Sequence, residues 1–181
     1  MSRCIAYLRA INVGGHTVKM DALCQLFEST GFTGVETFIA SGNVVFDAKP
    51  AAAGTLEQRI EKLLRQALGY EVATFIRTVP ELEEIAKYQP FPQPALDKAA
   101  ALNIAFIKDN LDAKSKQKLM GLKTDIDDFR VHGREIYWLC LKKQSESTFS
   151  NVVLEKALGR QSTLRGVNTI RKMAEKYGPK E

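Results

Sequence analysis

Strand–helix–strand–strand–helix–strand, read twice along 181 residues, predicts an α+β protein of two ferredoxin-like (split βαβ) subdomains packed together, with antiparallel sheets and helices. Three observations carry this. Short β-branched apolar runs are separated by stretches whose apolar residues recur at helical spacing. Each half contains two strand-like runs joined through a glycine, the mark of a hairpin. Prolines at 90, 92 and 94 interrupt the pattern at mid-chain, where neither a helix nor a central strand can continue. Residues 1–88 then form the first subdomain, 89–98 a proline-rich connection, and 99–181 a second α+β subdomain with an extra terminal helix. Residue identity between the halves is negligible, so the repeat is one of element order alone.

In the first half, Cys4 to Ile11 reads as a buried strand bounded by the loop Asn12-Val13-Gly14-Gly15. A helix from Lys19 to Thr30 places Met20, Leu23, Cys24 and Phe27 on one face, with Gly31 after it. Val35 to Ala40 and Asn43 to Asp47 form a hairpin about Ser41-Gly42. Thr55 and Gln58 have capping-box spacing for a second helix, whose stripe is Leu56, Ile60, Leu63, Leu64 and Ala67 before Gly69. Glu71 to Thr78 is the fourth strand. A further helix runs from Pro80 to Lys87, with Thr78 and Glu81 as its capping pair.

In the second half, Leu102 to Lys108 is a strand and Asp112 caps a helix reaching Leu122. Ile126–Val131 and Glu135–Leu141 form a hairpin about His132-Gly133. A helix from Ser150 to Leu158 stops at Gly159. A short extended piece, Ser162 to Arg165, leads into a last helix with Val167, Ile170, Met173, Ala174 and Tyr177 on one side.

The composition, 45% hydrophobic and 26% charged, excludes a disordered tract, a collagen-like repeat and a disulfide scaffold. No apolar run approaches the roughly 20 residues of a membrane helix. The start of the chain lacks the pattern of a secretory signal, so a cytoplasmic location is expected. Three cysteines, Cys4, Cys24 and Cys140, sit apart in apolar contexts and read as reduced core thiols. Their spacing to His16 and His132 matches no metal site, and no cofactor is called for. The net charge of +5 is unevenly spread: the first ninety residues are nearly neutral, and from Lys142 onward nine Lys and Arg face four Asp and Glu. A basic end of this kind attracts an anion, a nucleotide or nucleic acid above all.

Two groups of residues are candidates for contacting such a ligand. Arg9 follows Ile5 and Tyr7 along one strand face, and a guanidinium there needs a partner or a ligand. Asn12, Gly14 and Gly15 leave that strand, with glycine amides able to turn toward a phosphate. Asn43 enters the strand that should run antiparallel beside the first, so Arg9, Asn12 and Asn43 are expected at one end of the sheet. The second group lies at the start of the last helix, where free amides and the positive dipole end favour an anion. Arg165 precedes that start, Asn168 lies near it, and Lys172 is one turn further along the same face.

The run Tyr7-Leu8-Arg9-Ala10-Ile11-Asn12-Val13-Gly14-Gly15, with Met20 and Ser41-Gly42-Asn43-Val44-Val45-Phe46, resembles the opening of a bacterial family of uncharacterised proteins. Its members begin close to leucine-arginine-glycine-isoleucine-asparagine-valine-glycine-glycine. Phe149, Asn151, Glu155-Lys156, Leu158-Gly159, Thr163, Arg165, Asn168 and Thr169 continue the likeness. Ala10 stands where that pattern has glycine, and Gly166-Val167 where it often has asparagine-tryptophan. The resemblance implies ferredoxin-like subdomains and no activity. Three functions stay open: a binding module for an anionic ligand, nucleotide or nucleic acid; an enzyme acting on a phosphorylated or carboxylated small molecule; and an oligomeric interaction protein. The sequence sets neither the catalytic residues nor the oligomeric state.

Overall fold

A computed structural model describes residues 1–12 and 14–180, with the backbone alone at Ser41. Val13, in the expected glycine loop, lies outside the described residues. By internal contacts the chain divides into two compact units, residues 1–82 with 177–181, and residues 83–176.

The first unit runs β1 (Ser2–Leu8), α1 (Met20–Glu28), β2 (Thr33–Phe38), β3 (Ala40–Ala48), α2 (Ala53–Leu68) and β4 (Thr74–Thr78). Its sheet has the order β2-β3-β1-β4. β1 is antiparallel to both neighbours, with Cys4 opposite Phe46 and Thr78, and Ala6 opposite Val44 and Ile76. That register puts Cys4, Ala6, Leu8, Val44, Phe46 and Ile76 on one face, where they pack with Leu23 and Phe27 of α1 and Leu56, Ile60 and Leu64 of α2. Fully burying a Val, Leu, Ile or Phe side chain of this set contributes about 1.5–3 kcal/mol.

The second unit carries most of α3 (Val79–Lys87) and then α4 (Gln93–Lys98), β5 (Ala101–Phe106), α5 (Ala113–Met120), β6 (Asp127–His132), β7 (Glu135–Cys140), α6 (Asn151–Leu158), β8 (Thr163–Gly166) and all but the end of α7 (Val167–Tyr177). Its sheet order, β6-β7-β5-β8, repeats that of the first unit strand for strand. The repeat read from element order is therefore a repeat of topology, and the chain is a mixed α+β protein with two four-stranded antiparallel sheets. Ala105, Ile107, Phe129, Ile136, Trp138 and Cys140 meet Leu119, Leu154 and Leu158 in the second core.

Two of the expected caps form, at α5 and α3. Asp112 accepts from the Ser115 amide at 2.7 Å. The helix expected from Ser150 begins one residue later, with Ser150 accepting from the Val153 amide at 3.3 Å as its cap. Ahead of α3, Glu81 accepts from the Thr78 amide at 2.7 Å, and Thr78 accepts from the Glu81 amide at 3.4 Å.

Several expectations need correction. β1 ends at Leu8, not Ile11, because Ala10 turns the chain with φ 53. Arg9 thus sits just beyond the strand, still bonded through its amide to the Ala73 carbonyl at 2.9 Å. The hairpin reverses at Ile39, φ 64, and not at Ser41-Gly42, which fall inside β3. α2 starts at Ala53, ahead of the expected Thr55 cap, so the capping box with Gln58 does not form. The proline-rich stretch is not a bare connection: Pro92 starts the short helix α4. It lies inside the second unit, where Tyr137 donates to the Ile85 carbonyl at 3.2 Å and Tyr88 stacks on His132.

The β4 edge of the first sheet is closed by side chains. On β4, the Thr74 and Ile76 amides donate to Glu61 and Glu57 of α2 at 3.0 and 3.1 Å. These carboxylates occupy the ladder positions that another strand would need.

Candidate functional site

The expected residues fall into two groups, one in each unit. In the first, Asn43 lies opposite Tyr7 in the β1–β3 ladder, two residues before Arg9, as the antiparallel pairing requires. Its amide nitrogen donates to the Phe38 carbonyl at 3.1 Å and closes the hairpin. The Asn12 carboxamide oxygen accepts from the Val18 amide at 2.7 Å and closes the loop ahead of α1. Both carboxamides therefore do turn-closing work. Gly14 and Gly15 take left-handed backbone, φ 64 and 82, and are exposed. Tyr70 anchors this loop, its hydroxyl donating to the Ile11 carbonyl at 2.8 Å and its ring stacked on His16.

The second group surrounds the start of α7. β8 runs into this helix with no intervening residue, so the helix begins against the sheet. Arg165 projects from the face of the sheet shared with Thr163 and opposite to Leu164, and its guanidinium donates to the Thr163 hydroxyl and the Leu164 carbonyl, each at 2.8 Å. Lys172 lines a neighbouring groove together with Glu83, Lys87, Arg171 and Glu175, so that both signs of charge are present there. Asn168 and Arg171 border both that groove and a second cleft.

That cleft holds about 480 Å³. Its walls are Gln93 and Leu96 of α4, residues 99–103, Gln144, residues 166–169 and Arg171. Each wall has a local cause. A side-chain bond from Gln93 to Asp97, 2.8 Å, stiffens α4. The Ala100 amide ties the next segment to the Cys140 carbonyl at 2.9 Å. The Gln144 turn is held by buried Asp127, whose carboxylate accepts from the Ser147 hydroxyl at 2.8 Å and from the Trp138 indole, also at 2.8 Å. Behind β8, Ser162 and Asn151 exchange hydrogen bonds of 2.6 and 2.9 Å, and Glu155 accepts from the Ser162 amide. Asn151 and Glu155 thus fix the approach to β8.

Asn103 is the central residue. It lies on β5 opposite Trp138 and Gly166 and is only 7% exposed. Its carboxamide nitrogen is buried with no hydrogen-bond partner among the described residues. A buried donor left unsatisfied costs about 1–3 kcal/mol. It lines the cleft beside the first turn of α7, whose amides have no acceptor within the helix. Among the described residues that line the cleft there is one cation, Arg171, and no carboxylate, lysine or aromatic ring. The cleft thus combines neutral polar side chains and helix-start amides with one positive charge at the rim. Gly166 and Val167, where this chain departs from the resembled pattern, both belong to its wall.

Asn103 and Arg171 escaped the sequence reading. A signal for Asn103 was present: a polar residue inside the apolar run from Leu102 to Ile107, in register with Ala105 and Ile107, which face the core. Arg171 lies beside Lys172 in the same basic helix, and charge alone does not distinguish the two.

The cysteines are placed elsewhere. Cys4 and Cys140 are buried, Cys24 is half-buried, and all three are free thiols. Burial above all, then the charges of Glu81 and Asp47, pushes the Cys4 thiol up to about 11. Burial also raises Cys24 and Cys140. Neutral thiols of this kind are poor nucleophiles. Among the described residues no group of three or more His, Cys, Asp or Glu could hold a metal ion, and no helix is long and apolar enough to cross a membrane.

Two ferredoxin-like units, with a polar-lined cleft in the second, define the chain as an α+β protein with two four-stranded antiparallel sheets. The chain belongs to DUF1697, a family of proteins of unknown function, whose model matches residues 1–137. It is similar in structure to a conserved bacterial protein, SP0830, from Streptococcus pneumoniae, with TM-score 0.77 and 21% identity over 96% of this chain and 97% of that one. That likeness concerns the fold. No curated protein matches the chain.

Proposed function

We propose that this protein is a binding module for an anionic ligand, and that the ligand's acidic group sits at the start of α7. The observation that carries the reading is the unpartnered Asn103 carboxamide, buried beside that helix start. Three kinds of donor belong to residues that line this cleft: the Asn103 amide, the first-turn amides of α7 and the Arg171 guanidinium. Only a group rich in acceptors satisfies them together, and the helix end adds about half a positive charge. The excess of Lys and Arg after Lys142 raises the local concentration of anions around the same unit.

The cation assigned to this role is Arg171, since the Arg165 guanidinium is engaged with Thr163 and Leu164 on the other face of the sheet. Phosphate-dependent thermal stabilisation tests the reading with wild type, Arg171→Gln and Lys180→Ala. Charge-assisted hydrogen bonds contribute roughly 1.5–3 kcal/mol, so Arg171→Gln should weaken the effect about tenfold. Lys180→Ala, near the chain end, should leave it unchanged. Equal weakening by both substitutions would mean diffuse charge and no site.

A further inference from the structure

We infer that the cleft takes a small molecule with one acidic head, a carboxylate or a phosphate monoester, on a compact aliphatic body, and that it does not take a polyphosphate or a nucleic acid. This rests on the anion-binding reading above and narrows it.

The first argument is charge. Arg171 is the one cation among the described lining residues, and the helix end supplies a further partial positive charge. That matches a single acidic group. A nucleic acid or a polyphosphate presents several charges in a row, and proteins that hold them supply several Lys and Arg. The lysine that the sequence placed nearby, Lys172, faces the neighbouring groove, where Glu83 and Glu175 offset it.

The second argument is the wall. Leu96, Ala99, Ala100, Ala101, Leu102 and Val167 give an aliphatic lining of small side chains. No aromatic ring stands among the described lining residues, so there is no platform on which a base could stack. The space, about 480 Å³, lies in the range of small-molecule pockets.

The third argument is direction. Asn103 is nine-tenths buried and Arg171 is exposed at the rim. The acidic head therefore goes inward, one oxygen on the Asn103 amide and others on the α7 amides and Arg171. The aliphatic body then lies against the alanines and Leu96.

Calorimetry on the full chain tests this with 3-methylbutanoate, isopropyl phosphate, inorganic phosphate, ATP and a short single-stranded RNA, each at two ionic strengths. Wild type, Asn103→Asp and Asn103→Leu are compared, with circular dichroism confirming that each variant is folded. The carboxylate or the alkyl phosphate should bind at least about tenfold tighter than inorganic phosphate, and which of the two wins identifies the head. Both variants should lose that binding about tenfold or more, and salt should change it little. If ATP or RNA binds tightest, with a steep loss at high salt and with dependence on Asn103, the narrowed class is wrong and the anion site stands. If no probe binds, or all bind the variants as well as wild type, both readings fail.

Discussion

Replacing Asn103 by leucine separates a binding residue from a packing residue. In the free protein its carboxamide nitrogen is buried without a partner, a state that costs about 1–3 kcal/mol. Leucine removes that donor and adds apolar surface in a place walled by Ala101, Val167 and the rest of the aliphatic lining. For a chain of 181 residues each 1 kcal/mol moves the midpoint by about 2–4 °C. Asn103→Leu should therefore raise the melting temperature by at least roughly 2 °C, measured by scanning calorimetry without added anion. It should also abolish anion-dependent stabilisation. A rise in stability coupled to a loss of binding is the signature of a residue kept for function against the interest of the fold. If the midpoint falls by a similar amount, Asn103 is satisfied within the fold and the reasoning fails.

Other outcomes follow from positions outside the cleft. Gly34 has φ 56, and a Cβ there would lie 2.5 Å from an Asp47 carboxylate oxygen and 2.7 Å from the Arg3 guanidinium, which pair across the neighbouring strands β1 and β3. Gly34→Ala should cost at least about 1–2 kcal/mol in urea unfolding from backbone strain alone. Ala10→Gly, at φ 53, should raise stability by up to about 1 kcal/mol in the same assay. The Cys4 thiol, held up to about 11 against an ordinary 9.0, stays protonated in the fold while the unfolded chain ionises. Stability should therefore decline as pH rises through that window, and the slope should be shallower in Cys4→Ala. Glu57→Ala should destabilise by about 1–3 kcal/mol by freeing the buried Ile76 amide, whereas Glu57→Gln, which keeps an acceptor, should cost less.

The architecture was legible because its signals are local. Hydrophobic spacing, Asp112 as a cap, Gly159 and the His132-Gly133 hairpin are each read within a few residues. Misreadings came where backbone geometry overrode residue preference. Ile39, β-branched and 62% exposed, holds a left-handed turn that Gly42 would fill at lower cost. Ala10 ends a strand that its neighbours would continue. The site was half legible. Helix start and charge drew attention to Asn168 and its neighbours, yet β8 runs straight into α7 and sends Arg165 to the other face of the sheet. Which residue faces the cleft depends on strand register, and the Asn103 pairing with Gly166 joins positions 63 residues apart. No local pattern encodes that contact.

The most direct test is an amide-resolved NMR titration of the full chain with isopropyl phosphate. A site at α7 predicts saturable shifts confined to the backbone amides of residues 166–169 and the side-chain NH₂ of Asn103, with the second tracking the first along one binding curve. Shifts that do not saturate, or that spread over the exposed lysines while the Asn103 NH₂ stays still, would contradict an anion site in this cleft.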